Sequence, residues 1–236
     1  MKLWKKLSEK FDACSEATFN PHCNIIKILT KVFNNISEHG IAPDTNFNEG
    51  WLCPIYKKGE RTNIANYRPI TVLNTNYKVM TKTMANRLAE AAPMLVHHDQ
   101  AGFIQGRSIH DQVKLAKLTL DYGRIIEQNG AIMALDQEKA YDRILHLYLW
   151  KTLEKFGLPC CFIMTVQYLY QNVSTRVLIN SMLSNPFSIL QGVRQGDALS
   201  CLLFDLRIKP LATAIRNSPI HGIAIKNAPD CIIQDV

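Results

Sequence analysis

Nothing in the 236-residue sequence offers a membrane span, since no apolar stretch approaches the roughly 18 residues that cross a bilayer. The opening, MKLWKKLSEK, is basic and amphipathic but lacks the apolar core and small-residue cleavage site of a secretory signal. An intracellular protein of the cytoplasm or nucleus is therefore expected, with no membrane partner. Its cysteines (Cys14, Cys23, Cys53, Cys160, Cys161, Cys201 and Cys231) are odd in number, irregular in spacing and form no C-x-x-C pair. Neither a disulfide framework nor a zinc site follows from them, and most are expected to be small buried thiols. In "PHCN" a histidine stands beside Cys23, but no nearby residue completes a ligand set. There is no internal repeat, low-complexity tract or obvious linker. "GFIQGRS" is not a phosphate-binding Walker A loop: only three residues separate Gly102 from Gly106, and Arg107 stands where lysine is required.

What is present suits a folded domain. The chain is 47% hydrophobic and 20% charged, and long enough to bury a substantial core. Its formal charge of +7 is unevenly spread. From Trp51 to Glu90, Lys57, Lys58, Arg61, Arg68, Lys78, Lys82 and Arg87 face only Glu60 and Glu90, whereas Ala91–Gly130 is balanced. Such a segment suits a polyanion, nucleic acid or nucleotide phosphate, or is simply a solvated basic face.

The order of elements reads as mixed. "NIIKILTKVFNNISEHG" has helical spacing with Gly40 as its stop. Short strand-like pieces follow around a "KKGE" turn, then a helix closed by Pro93, and a polar loop that feeds an amphipathic helix from Ser108 to Asn129-Gly130. A buried strand is predicted over 131–136. Helices are expected after Asp142 and over about 160–171, a β-hairpin with strands near 175–179 and 186–190, and a helix capped by Asp197. The tail reads as two short strands around "NAPD". Strands and helices without regular alternation indicate an α+β fold.

Within "AIMALDQEKAYDRI" the predicted strand ends on Asp136. A carboxylate there needs compensation, which a divalent cation supplies directly; capping a turn is the alternative. Asp142, just before an apolar-periodic helix, stands where an N-cap belongs. Tyr141 faces the same site or packs in the core. Lys57 and Lys58 beside Gly59, and Arg68, have the chemistry to meet a triphosphate as point charges and as a bidentate fork. Gly196 in "GVRQGDALS" allows a base or sugar to approach the backbone.

Taken in order, "PIYKKGERTNIANYRPITVLNTNYK", "DQAGFIQGRSIHD", "ALDQEKAYDRI" and "LQGVRQGDALSCLLF" resemble the successive motifs of reverse transcriptases of the non-LTR (LINE-type) retrotransposon class, over roughly residues 50–225. The resemblance implies the fingers and part of the palm of a right-hand polymerase: residues 1–50 as an N-terminal helical extension, 51–130 fingers-like, and 131–236 a partial palm with a small antiparallel sheet. It implies an RNA-directed DNA polymerase that uses two Mg²⁺ ions, an RNA template, a DNA primer and deoxynucleoside triphosphates. On that pattern Asp136 binds the ions with help from the Gln137 backbone carbonyl, and Tyr141 crowds the 2′ position of the incoming sugar. Lys57 or Lys58 with Arg68 grips the triphosphate, Gln195 and Gly196 lie beneath the nucleotide and templating base, and Phe103 and Arg107 belong to a template-side element. The family's second metal motif, an aromatic residue followed by Ala-Asp-Asp, does not occur; Asp235 is a lone acid followed by Val236. With one such carboxylate in place of three, the 236-residue polypeptide is expected to polymerise poorly or to act only as a nucleic-acid-binding remnant.

Overall fold

Residues 24–127, 129–219, 222–224 and 232–233 are described by the computed structural model of the chain. Cys14, Cys23, Cys231, Asp235, the "NAPD" turn and the first residues of the expected extension lie outside them. Helical spacing of apolar residues accounts for six helices among the described residues: α1 (Asn24–His39), α2 (Thr75–Leu95), α3 (Ile109–Ile125), α4 (His146–Lys155), α5 (Cys160–Tyr170) and α6 (Ala198–Arg216). The strands are β1 (Gly50–Tyr56), β2 (Tyr67–Leu73), β3 (Ser174–Ile179), β4 (Met182–Leu183), β5 (Phe187–Ser188), β6 (Ile223–Ala224) and β7 (Ile232–Ile233). The fold is α+β, as expected.

Two helices make the core. On α2 the buried residues Tyr77, Met80, Met84, Leu88 and Ala92 recur at three- and four-residue spacing, and on α6 Leu199, Leu202, Leu203 and Leu206 do the same. These stripes pack together, and α4 and α5 add Leu149, Leu153, Val166 and Leu169. Asp197 caps α6 through a bond from Leu199 N, and Ser108 caps α3 through one from His110 N.

The sheet is mixed rather than the purely antiparallel one expected, in the order β2-β1-β3-β4 with β5 on β3. β1 runs antiparallel to β2 and parallel to β3, so the sheet draws on both sides of residue 130. Prolines occupy facing positions in the β1–β2 ladder, Pro54 opposite Pro69. Thr71, two residues along, sends its N–H away from β1 to Gln195 O, so this class of position on β2 points its nitrogens outward. A proline there forfeits no ladder bond. The predicted hairpin is present as β3 with β5, and the tail strands pair as β6 with β7.

Several expectations need correction. Residues 131–136 form no strand: they run irregular and exposed, with Ile132, Met133 and Leu135 bare. A strand forms only where a neighbour satisfies its N–H and C=O groups, and no described segment pairs with this one. α3 ends at Ile125, and its apolar residues Ile109, Val113 and Leu120 are likewise exposed. α2 continues through Pro93 to Leu95. A proline in the last turn removes a single bond, and the carbonyls of that helix end are taken by side chains, Arg107 on Pro93 O and Lys209 on Leu95 O. The described cysteines are free but not buried: Cys160 and Cys161 are exposed, Cys53 and Cys201 half-buried. Among the described residues no helix is long and apolar enough to cross a membrane.

Tyr77 tests the core. Its ring is fully buried, 5.8 Å from Phe47 and beneath the Arg194 guanidinium, while its hydroxyl has no hydrogen-bond partner. Tyr77→Phe is expected to leave unfolding free energy within about 1 kcal/mol of wild type or to raise it, because it removes an unsatisfied group. Tyr77→Ala is expected to lose about 3–5 kcal/mol. Denaturant titration of both variants checks the contrast.

Candidate active site

The site is built around the loop 192–197, between β5 and α6. As the edge strand, β2 has an outward N–H free at Thr71, and it donates to Gln195 O at 2.9 Å. Gly196 then lies so close that an added Cβ would sit 2.6 Å from Thr71 O and 4.0 Å from Ile70 Cγ2. Its φ of 113° also lies where side chains are strained. Ile70 shares a face of β2 with Arg68, so Gly196 and Arg68 belong to one surface.

At its other end the loop is tied to residues 141–144. Val193 N donates to Tyr141 O at 2.9 Å and Gly192 N to Ile144 O at 2.7 Å. Any side chain at Gly192 would meet Tyr141 O at 2.9 Å. Beneath the loop Arg194 is buried, donating through Nη2 to Asn48 O with its Cζ 5.0 Å from the Tyr77 ring centre. Asp197 is buried beside it; burial pushes its carboxyl up, against hydrogen bonds from Thr81, Leu199 N and Ser200 and the charge of Arg194.

α6 supplies the floor. Tyr141 stacks on Phe204 with ring centroids 5.2 Å apart and planes 7° from parallel. Burial raises its hydroxyl pKa, and contact with Cys201 and the charge of Asp205 act in the same direction. Arg207 Nη1 donates to Gln137 Oε1 at 2.9 Å, tethering the residue after Asp136 to the same helix. Asp205 is almost fully buried: Oδ1 accepts from Gln100 Nε2 at 2.9 Å, and Oδ2 has no partner. Burial pushes its carboxyl up to about 7, the Gln100 bond opposing.

Of the residues singled out in the sequence, Lys57 and Lys58 are exposed just past the end of β1. The pairing of Ile55 with Arg68 brings them to the end of the hairpin where exposed Arg68 lies. Asp136 is exposed, adjacent to the tethered Gln137; Tyr141 is half-buried; Gln195 and Gly196 hold the loop. Phe103 is exposed at 64% with φ of 55°. Arg107 is turned inward, giving its guanidinium to His97 O, Gln100 O and Pro93 O. Asp142 does not cap α4, where Leu145 holds the cap position without a side-chain bond. Its Oδ1 instead accepts from Gln195 Nε2 at 3.5 Å. The helix starts three residues later than periodicity suggests because Lys139–Arg143 close a turn of their own, with Asp142 N and Arg143 N both on Lys139 O. Sequence reasoning missed Arg194, Phe204, Asp205 and Arg207. The available signal was charge at otherwise apolar helix positions, as in "LLFDLRI".

The family described as Reverse transcriptase (RNA-dependent DNA polymerase) matches residues 55–229. Among curated proteins, the Transposon TX1 uncharacterized 149 kDa protein of Xenopus laevis is 36% identical over 76% of this chain. The Retrovirus-related Pol polyprotein from type-1 retrotransposable element R2 of Nasonia vitripennis is 25% identical over 86% of it. The corresponding polyprotein from type-2 retrotransposable element R2DM of Drosophila melanogaster is 30% identical over 69%. The chain spans 14%, 21% and 15% of those relatives' own lengths.

Two outcomes check this geometry. Gly196→Ala is expected to destabilise the fold by about 2 kcal/mol or more, from backbone strain and the clash with Thr71 O; chemical denaturation measures it. Asp205 ordinarily titrates near 3.9, so its folded carboxyl holds a proton that the unfolded chain gives up. Its contribution is unperturbed below about pH 4, falls as pH rises to about 7, and is flat above. Asp205→Asn has no charge to bury and is expected to abolish that decline, melting above wild type at pH 8; parallel slopes from pH 4 to 8 would refute the assignment.

Proposed function

Because the chain belongs to the reverse transcriptase (RNA-dependent DNA polymerase) family, we propose that it is the nucleotide- and template-binding part of an RNA-directed DNA polymerase from a non-LTR retrotransposon, residues 51–130 fingers-like and 131–236 a partial palm. The names of the R2 relatives support the retrotransposon origin. The observation that carries the reading is the seating of loop 192–197 between β2 and Tyr141, which gathers onto one surface three segments that are distant in sequence.

On this reading the chain's own residues bind and orient. Lys57, Lys58 and Arg68 draw the triphosphate of a deoxynucleotide to the end of the β1–β2 hairpin, Arg68 as the fork that fixes its orientation. Tyr141, held flat against Phe204, presents a fixed edge that crowds a ribose 2′-hydroxyl. Gln195 and bare Gly196 form the surface on which nucleotide and templating base rest. Phe103 offers an exposed ring for stacking on the template strand, while Arg107 shapes that loop from within.

Magnesium is the ion the family implies, and when bound it would stabilise charge on the transferred phosphate. Among the described residues the donor set does not fit a pair of ions. Asp136 offers one exposed carboxylate and Gln137 a backbone carbonyl, but Asp136 belongs to no group of three ligating side chains among the described residues. Two ions require several carboxylates. A single such carboxylate among the described residues favours binding of nucleotide and nucleic acid over primer extension by those residues alone.

The test joins binding and turnover. The 236-residue chain is expected to bind an RNA–DNA primer-template with affinity that falls steeply with salt. Arg68→Ala is expected to weaken deoxynucleoside triphosphate binding by about ten- to a hundredfold, the worth of a charged hydrogen-bonded fork. No primer extension is expected with Mg²⁺. Salt-independent binding, or an Arg68→Ala variant that binds triphosphate normally, overturns the binding surface. Extension abolished by Asp136→Ala overturns the inference from the lone carboxylate.

A further inference from the structure

A second set of ligating groups lies in the turn that follows α2. Val96 closes that helix, and His97, His98 and Asp99 come next. His97 Nδ1 is 2.8 Å from Asp99 Oδ2, and His98 Nε2 is 2.9 Å from Asp99 Oδ1. The two imidazoles flank one carboxylate, their ring centroids 4.0 Å apart. One ligand atom from each residue falls within 4.8 Å of the others, and no other described His, Cys, Asp or Glu group of that size does so.

The backbone beneath this cluster is held in place. Arg107 bridges the carbonyls of His97 and Gln100, and Gln100 N closes the turn onto His97 O at 3.1 Å. Ligand backbones already fixed reduce the ordering entropy that ion binding would otherwise lose. We propose that His97, His98 and Asp99 bind a divalent ion of the zinc class, with three protein ligands and an open position for water. Imidazole nitrogen with carboxylate oxygen is a zinc-type donor set, and three protein ligands with one open position is a known arrangement for that metal. Magnesium, which takes oxygen ligands in octahedral geometry, does not suit it.

The geometry needs a small adjustment. Bonds of about 2.0–2.2 Å around a tetrahedral ion separate neighbouring ligand atoms by about 3.3 Å. The imidazole–carboxylate distances, which end on different oxygens of Asp99, must therefore open by about half an ångström, and one ring must shift so that both face a single oxygen. His98, with 83% of its side chain exposed, is free to make that movement. Two neighbours oppose the ion: Asp99 N donates to His97 Nδ1 at 3.3 Å, a bond the ion must displace, and Arg216 Nη2 lies 3.7 Å from Asp99 Oδ2, outside hydrogen-bonding range but close enough to repel a cation. An affinity on the order of micromolar rather than nanomolar is expected for that reason. The bound ion would lock the entry of the Gln100–Arg107 loop to the end of α2.

The test uses the 236-residue chain without a polyhistidine tag. Calorimetry with Zn²⁺ is expected to give one site per chain and a rise in melting temperature. Co²⁺ is expected to give visible absorption bands without the near-ultraviolet charge transfer of a thiolate ligand. His98→Ala, chosen because that ring is exposed, and Asp99→Asn should each keep the metal-free fold and weaken binding at least about tenfold. Absence of stoichiometric binding, binding that survives both substitutions, or a cobalt spectrum with thiolate bands overturns the site.

Discussion

The bond from Thr71 N to Gln195 O is the seam on which the candidate site depends. Edge strands have unpaired donors, and an exposed row of them invites association with other chains. On β2 one such donor is occupied by loop 192–197, and another position of the same class is a proline without a donor. The seam closes only because Gly196 has no side chain between the two backbones. At the far end, Gly192 permits the same approach to Tyr141. Glycines therefore bring Arg68, Gln195 and Tyr141 into register without any of them touching through a long side chain.

Below the seam, charge is buried where it positions and exposed where the proposed function has it bind. Arg194 and Asp197 are sealed among Tyr77, Tyr170, Thr81 and Ser200, with the Nε and Nη1 of Arg194 unpaired. Burying such groups is unfavourable relative to an apolar pair of similar shape, and a register-fixing role is their best-attested use. Lys57, Lys58 and Arg68 sit in solvent, where attraction for a polyanion is screened but carries no desolvation penalty before binding. Asp205 belongs to the first kind, joining the Gln100 loop to α6 directly beneath Tyr141.

Helices were legible because their signal is local. The spacing of Tyr77, Met80, Met84 and Leu88, the cap at Asp197 and the stop at Gly40 each report on a few adjacent residues. Short strand-like pieces around the "KKGE" turn were legible for the same reason, but not their pairing as β1 and β2. Features set by distant partners were not. Asp142 has the spelling of an N-cap, yet a Lys139-centred turn delays α4 and leaves the carboxylate to Gln195, which is remote in the chain. Arg107 is read from the sequence as part of a template-side element, but three carbonyls at and after the end of α2 take its guanidinium. Pro93 carries a helix-stop signal that side-chain capping from Arg107 and Lys209 overrides.

Asp136 loses in the structure the first argument made for it. Apolar residues 131–135 suggested a buried strand, so the acid at its end needed a cation to offset desolvation. The segment is exposed, and a carboxylate in water needs no such partner. What remains is position. Gln137 is tethered to Arg207 and Tyr141 is stacked on Phe204, and both anchors stand on α6 one turn apart. Those contacts confine the intervening turn against the helix that also carries Cys201 and Asp205, and Asp136 is the residue before the first of them. The seating of the 141–144 turn against loop 192–197 therefore follows from side-chain tethers to α6 and backbone bonds at Tyr141 and Ile144, not from strand pairing.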